Sequence, residues 1–160
     1  MAIARLTDYL DTHMIPYIVI SHSPAYTAQG IAALAHIPGK ELAKTVIVKL
    51  DGRLTMAVLP ANFHVDLALL KTAAHAQTAV LASEEDFRDR FSECEAGAMP
   101  PLGNLYGLAV FADESLEKDT AIAFSAGTHR ELIRMAWADF KRLVEPTLVQ
   151  FAVGRTAEAA

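Results

Sequence analysis

Cysteine is nearly absent. The 160-residue chain has one, Cys94, which excludes a disulfide-stapled fold. Charge is scarce too: 21% of residues are charged and 52% are apolar, the reverse of a disordered chain. Basic residues do not dominate. Fourteen Lys and Arg face 19 Asp and Glu, for a net charge of −5. That argues against gripping long duplexes by phosphate neutralisation, while leaving room for a local basic site that reads an RNA end. No DNA partner is expected. No long apolar run occurs either. The longest stretch without Asp, Glu, Lys or Arg, Thr12 to Gly39, contains Pro16, Pro24 and Pro38, so no spanning helix and no membrane partner are expected. Asp8 and Asp11 stand where a secretion signal needs an apolar run. With one thiol, this gives the expectation of a reducing cytoplasm.

Familiar catalytic signatures are missing as well. There is no Gly-x-Ser-x-Gly, phosphate loop, dinucleotide fingerprint or His-Glu-x-x-His. The six histidines, His13, His22, His36, His64, His75 and His129, do not share zinc-ligand spacing. No metal and no cofactor are expected. Cys94 lies between Glu93 and Glu95, anions that raise a thiol pKa and make it a poor nucleophile.

What is present fits one α/β domain. A chain of this length buries roughly 70% of its unfolded surface, enough for one core. Ile3–His13 has helical spacing, and Tyr17–Ile20 reads as a strand. Thr27 is placed to cap a helix through His36. Lys44–Leu50 and Leu54–Leu59 flank Asp51-Gly52, a hairpin signal. Short helices are expected over Asp66–Ala74 and from a Ser83 cap to Phe91. Further strands fall at Thr78–Leu81, Leu108–Phe111, Thr120–Phe124 and Glu131–Met135, with a closing helix at Trp137–Val144. The expectation is a single mixed, largely antiparallel sheet of six or seven strands surrounded by helices. The domain spans 1–153, with a frayed tail at 154–160.

Three features can carry chemistry, and each has an ordinary reading beside it. Period two puts Lys44 on a face with Val46, Val48 and Leu50, and Ile47 on the other. Lys44 is either a strand-end lysine that snorkels to water or a cation at an apolar pocket waiting for phosphate. The loop Gly97-Ala98-Met99-Pro100-Pro101-Leu102-Gly103 is either a surface turn or a rigid set of backbone donors for an oxyanion. Gly127, His129 and His22 sit in turns at strand ends, where structural roles compete with ligand contact.

Taken in order, these pieces resemble the YbaK and prolyl-tRNA-synthetase-associated (ProX-like) editing family. The matching segments are SHSPAYTAQGIA, AKTVIVK, VLPANFHVDLALLK, GAMPPLG, FSAGTHRELIRM and WADFKRLVEP, between about His22 and Pro146. The resemblance implies a mixed α/β domain around a small pocket. It also implies a free-standing aminoacyl-tRNA deacylase acting on tRNA mischarged with a small amino acid, such as Ala or Cys on proline tRNA. The family lysine maps to Lys44, and the Gly-x-x-x-Pro loop to Gly97 and Pro101. Lys44 and Gly97 are then the catalytic candidates. Pro101, Gly127, His129, His22 and Thr27 are the substrate-binding ones, with Ile47 and Met99 as apolar lining. The expected partners are the acylated 3′ end of tRNA and a synthetase that lends tRNA affinity. Two other readings compete: a non-catalytic module binding tRNA ends, a nucleotide or a synthetase, and a hydrolase for another small ester or acyl-nucleotide.

Overall fold

The computed structural model describes residues 3–22, 37 and 40–154. The helix expected from Thr27 to His36, and Thr27 itself, lie outside the described residues. Four α-helices occur among those described: α1 (Ala4–Thr12), α2 (Leu67–Ala73), α3 (Glu84–Phe87) and α4 (Trp137–Val144). Ten strands accompany them: β1 (Tyr17–Ser21), β2 (Ala43–Leu50), β3 (Arg53–Pro60), β4 (Phe63–Val65), β5 (Ala79–Leu81), β6 (Ala109–Asp113), β7 (Ala121–Ser125), β8 (Glu131–Ala136), β9 (Thr147–Val149) and β10 (Ala152–Gly154).

The β2–β3 hairpin organises the larger sheet. Asp51 and Gly52 have φ of 51° and 81°, the pair of positive values that a two-residue turn matched to strand twist requires. From that turn the strands pair in register from Leu50↔Arg53 to Ala43↔Pro60. The five-stranded order is β5-β2-β3-β6-β9. β5 and β3 run antiparallel to β2, whereas β6 and β9 continue in parallel from β3. Both faces are covered, which explains the uninterrupted burial of β3 from Thr55 to Pro60. Ala43, Ile47, Met56 and Val58 face the main core, with Met99, Leu102 and Phe140. Val48, Leu50, Ala57 and Leu59 face a second cluster with Leu70 and Phe151.

A three-stranded antiparallel sheet, β1-β8-β7, packs beside the first. A single parallel bridge, Leu42↔Ala123, joins the two, reinforced by the Ala123 N–H donating to the Glu41 carbonyl at 2.9 Å. The Trp137 and Phe140 rings of α4 stack 5.4 Å apart inside the main core. Glu145 then adopts φ of 51° and ends the helix before Pro146.

The mixed α/β class is as expected, but the strands divide among three sheets rather than one. The two-stranded third sheet pairs β10 with β4. β4, β9 and β10 have three residues each, too few for alternation to mark them. Gly154 belongs to β10, opposite Phe63, rather than to a frayed tail. The helix expected from Ser83 to Phe91 is a four-residue α-turn followed by a 3₁₀ turn at Arg88–Phe91. Ser83 and Asp86 close its start with a reciprocal capping box.

One buried carboxylate secures the far end of β6. Asp113 is 3% exposed. Its Oδ1 accepts the backbone N–H groups of Phe151 and Ala152 at 2.9 and 2.8 Å. Its Oδ2 accepts the N–H and hydroxyl of Ser115 at 3.1 and 2.5 Å. Four donors on one carboxylate satisfy a charge that would otherwise be costly to bury.

Candidate functional site

Three segments distant in sequence meet where β7 turns into β8. Gly97 (φ 82°) and Gly127 (φ 94°) both occupy left-handed backbone, where glycine carries no Cβ penalty. Their loops are stitched by main-chain bonds. The Gly127 N–H donates to the Ala98 carbonyl at 3.0 Å, and the Glu95 N–H donates to the Gly127 carbonyl at 2.8 Å. A Cβ on Gly127 would lie 2.5 Å from Ile3 Cγ2, so this turn needs glycine for space as well as for φ. Ile3 is held there by its N–H donating to the Ala126 carbonyl at 3.1 Å.

His129 is the buried polar residue of this junction, 7% exposed. Its main-chain N–H donates to Glu95 Oε1 at 2.5 Å. Its ring Nε2 lies 2.6 Å from the Ala96 carbonyl. A carbonyl oxygen only accepts, so Nε2 carries a proton, and in the neutral ring Nδ1 is the acceptor atom. The ring faces the loop glycine: a Cβ on Gly97 would sit 3.6 Å from His129 Cε1. His22, just past β1, donates its N–H to the Arg130 carbonyl at 2.8 Å. The structure therefore brings His22, Gly97, Gly127 and His129 to one corner.

Lys44 lies on β2 opposite Leu59, and is half-buried. It follows Leu42 by two residues, as Ser125 follows Ala123 across the parallel bridge. The lysine's strand thus starts beside the strand that delivers the Gly127 turn. Its face partners are as period two predicts: Val46, Val48 and Leu50 pack together with Leu59.

The apolar lining needs correction. Ile47 is 4% exposed and belongs to the main core, on the opposite face of β2 from Lys44. Met99 is in the same core, although it also borders a small cavity of about 50 Å³ with Glu95, Ala96 and Cys94. Neither shares the lysine's face. Nor is the loop a surface turn throughout. Gly97 is exposed, but Ala98 to Gly103, including Pro101, are buried. A Cβ on Gly103 would approach the Leu108 carbonyl and Val110 Cγ2 to 2.5 Å, so the loop's exit is fixed by packing.

The Cys94 thiol is pushed up, first by burial, with Glu93 adding to the shift while Tyr106 and Arg5 oppose it. The direction matches the sequence expectation, but burial is the larger cause. Sequence reasoning missed Glu95 and Ala96 as partners of His129. The available signal was a glutamate two residues before the loop glycine. Among the described residues, no three His, Cys, Asp or Glu side chains are grouped to hold a metal ion. No described helix is long and apolar enough to cross a membrane.

Comparison with known proteins places this arrangement in a family. The Ser/Thr-tRNA deacylase ProXp-y of Escherichia coli K12, described as multifunctional, is 28% identical over 152 residues, covering 92% of this chain and 90% of that protein. Among solved structures, hypothetical protein APE2540 superposes with a TM-score of 0.83 at 16% identity, covering 93% of this chain and 99% of the other. A candidate trans-editing enzyme for prolyl tRNA synthetase gives 0.78 at 19% identity, covering 94% and 96%. These two show the shared fold. The aminoacyl-tRNA editing domain profile matches residues 22–143, most of the chain, and the protein therefore belongs to the aminoacyl-tRNA editing domain family.

Proposed function

We propose that this protein is a free-standing deacylase that hydrolyses the ester of tRNA mischarged with a small amino acid. Membership of the editing family gives the coarse activity, removal of an amino acid from tRNA. One observation carries the site reading: the Gly97 loop is bonded to the Gly127–His129 turn at the end of the strand bridged to Leu42, two residues before Lys44.

An aminoacyl ester is already activated, so its hydrolysis needs positioning and charge stabilisation more than a strong nucleophile. In this reading the Lys44 ammonium anchors the phosphate or ribose hydroxyls of the terminal adenosine. Main-chain donors at Gly97 orient the ester carbonyl and steady the oxyanion formed when water attacks. Pro101, buried behind them, keeps the loop rigid. His22, Gly127 and His129 border the substrate. The terminal ribose hydroxyl leaves with a proton from the attacking water, releasing free amino acid and tRNA.

Selectivity comes from size. A synthetase rejects a smaller amino acid poorly by binding alone, and a second site that admits only the small one corrects this. Serine and threonine join alanine and cysteine as candidates, because the ProXp-y relative is named for Ser and Thr. With a net charge of −5, phosphate contacts supply little tRNA affinity. A synthetase partner supplies the rest in a reducing cytoplasm.

The test is a deacylation panel of alanyl-, cysteinyl- and seryl-tRNA for proline and of seryl- and threonyl-tRNA on non-cognate acceptors, beside matched controls. Turnover of at least one mischarged member is expected, and Lys44→Ala should lower it about 100-fold or more with the thermal transition retained. Wild-type turnover in that variant overturns the lysine's role. Binding without hydrolysis on every member assigns the chain instead as a tRNA-end-binding module.

A further inference from the structure

We propose that Glu95 is a positioning residue for the editing site, acting through His129. This rests on the deacylase reading above and adds to it a residue that touches neither the ester nor the terminal adenosine. Glu95 bonds in three ways at the junction. Its N–H donates to the Gly127 carbonyl at 2.8 Å, its carbonyl accepts from the Ala98 N–H at 3.0 Å, and its Oε1 accepts the His129 N–H at 2.5 Å. The next residue, Ala96, accepts from the His129 ring. One dipeptide thus fixes both the main chain and the imidazole of His129, and the residue after it is Gly97.

The carboxylate bond is the part that the side chain controls. A carboxylate accepting an amide N–H makes a charge-assisted bond, shorter and stronger than a neutral one. It sets the height of the His129 backbone over the loop, and so whether Nε2 reaches the Ala96 carbonyl. That reach in turn selects the ring tautomer and directs Nδ1. If the acceptor is lost, the main-chain stitches at Glu95 and Ala98 remain, but the imidazole is no longer held in one tautomer against Gly97. Glu93 offers a built-in contrast. It lies two residues away with the same charge, yet its carboxylate faces Arg5 at 3.2 Å and Tyr106 at 3.5 Å rather than the turn.

The experiment compares full-length wild type with Glu95→Ala, Glu95→Gln and Glu93→Ala on the best substrate of the panel. It records kcat, KM, the thermal transition and the ¹⁵N spectrum of the His129 ring. Glu95→Ala is expected to lower kcat about 10- to 100-fold with KM changed less than about threefold, the mark of misplacement rather than lost binding. Glu95→Gln keeps an acceptor oxygen and should recover most of that loss, while Glu93→Ala stays within about twofold of wild type. The ring should show one Nε2–H tautomer in wild type and in Glu95→Gln, and a mixture in Glu95→Ala. If the alanine variant does not fold, Glu95→Asp, which withdraws the acceptor by one methylene, replaces it. Loss in the glutamine variant equal to that in alanine, or unchanged kcat in alanine, overturns the proposal. If wild type hydrolyses no panel member, the deacylase reading falls, and the ring spectra alone decide the clamp: a single tautomer persisting in Glu95→Ala overturns it.

Discussion

Two glycine turns in this molecule use the same backbone conformation for different ends. At the β2–β3 hairpin, Gly52 has φ of 81°, and a Cβ there would meet nothing within 4 Å. At the candidate site, Gly127 has φ of 94°, and a Cβ would strike Ile3 at 2.5 Å. A carboxylate ties each turn to another segment, in opposite senses: Asp51 reaches out from the hairpin turn, whereas Glu95 reaches in to the site turn from the Gly97 loop. Asp51 Oδ1 accepts from Gln77 and Thr78 at 2.8 and 2.9 Å, and Glu95 Oε1 accepts from His129. The hairpin corner is open: it reverses the chain and, through Asp51, holds the segment leading into β5. The site corner is closed over, so its turn is tied to the N-terminal segment, the Gly97 loop and a buried imidazole at once. A local conformation therefore does not reveal its importance; what surrounds it does.

Substitutions can break or sharpen this contrast. Gly127→Ala should have the largest effect, about 3 kcal/mol of lost stability from combined backbone strain and overpacking against Ile3, read by urea unfolding. A loss below about 1 kcal/mol would mean that Ile3 moves aside freely and the two turns are alike. Asp51→Ala should cost about 1.5 kcal/mol, because the two freed N–H groups reach water. Its clearest mark would be faster hydrogen exchange at Gln77 and Thr78. Gly52→Ala should cost about 1 kcal/mol, backbone strain alone, with deacylation unchanged.

The mildest effect concerns another open corner, the capping box at Ser83. The main-chain N–H of Ser83 first, then Lys49 and the Ser83 side chain, hold the Asp86 carboxyl at about 2, below the usual carboxylate value near 4. A lowered folded pKa contributes stability above the unfolded value, and that contribution is lost as pH falls towards about 2. The amide shifts of Ser83 and Asp86 should follow a transition near pH 2 while the core signals hold steady. A transition near pH 4 would mean that the box is not formed in solution.

Legibility from sequence follows the same division. The Asp51-Gly52 hairpin, the β-branched β2 and the helix Trp137–Val144 are visible because their signals lie within a few residues of one another. Period two also separates Lys44 from Ile47 correctly. The alliance of Glu95 and Ala96 with His129 spans more than 30 residues, and one of its acceptors is a backbone carbonyl, which every residue has. The only local hint is the glutamate two residues before the loop glycine, and it does not name its partner. The division into three sheets is hidden for a related reason: β4 and β10 exist by pairing with each other across more than half of the chain.

Asp113 has a consequence for how the chain is made. It waits for the amides of Phe151 and Ala152, and Phe151 closes the cluster that contains Leu70. A nascent chain on the ribosome therefore leaves that side of the larger sheet incompletely covered until residue 152 has emerged from the exit tunnel. The hairpin and α2 can form early during synthesis, but the cluster they share stays open until Phe151 arrives.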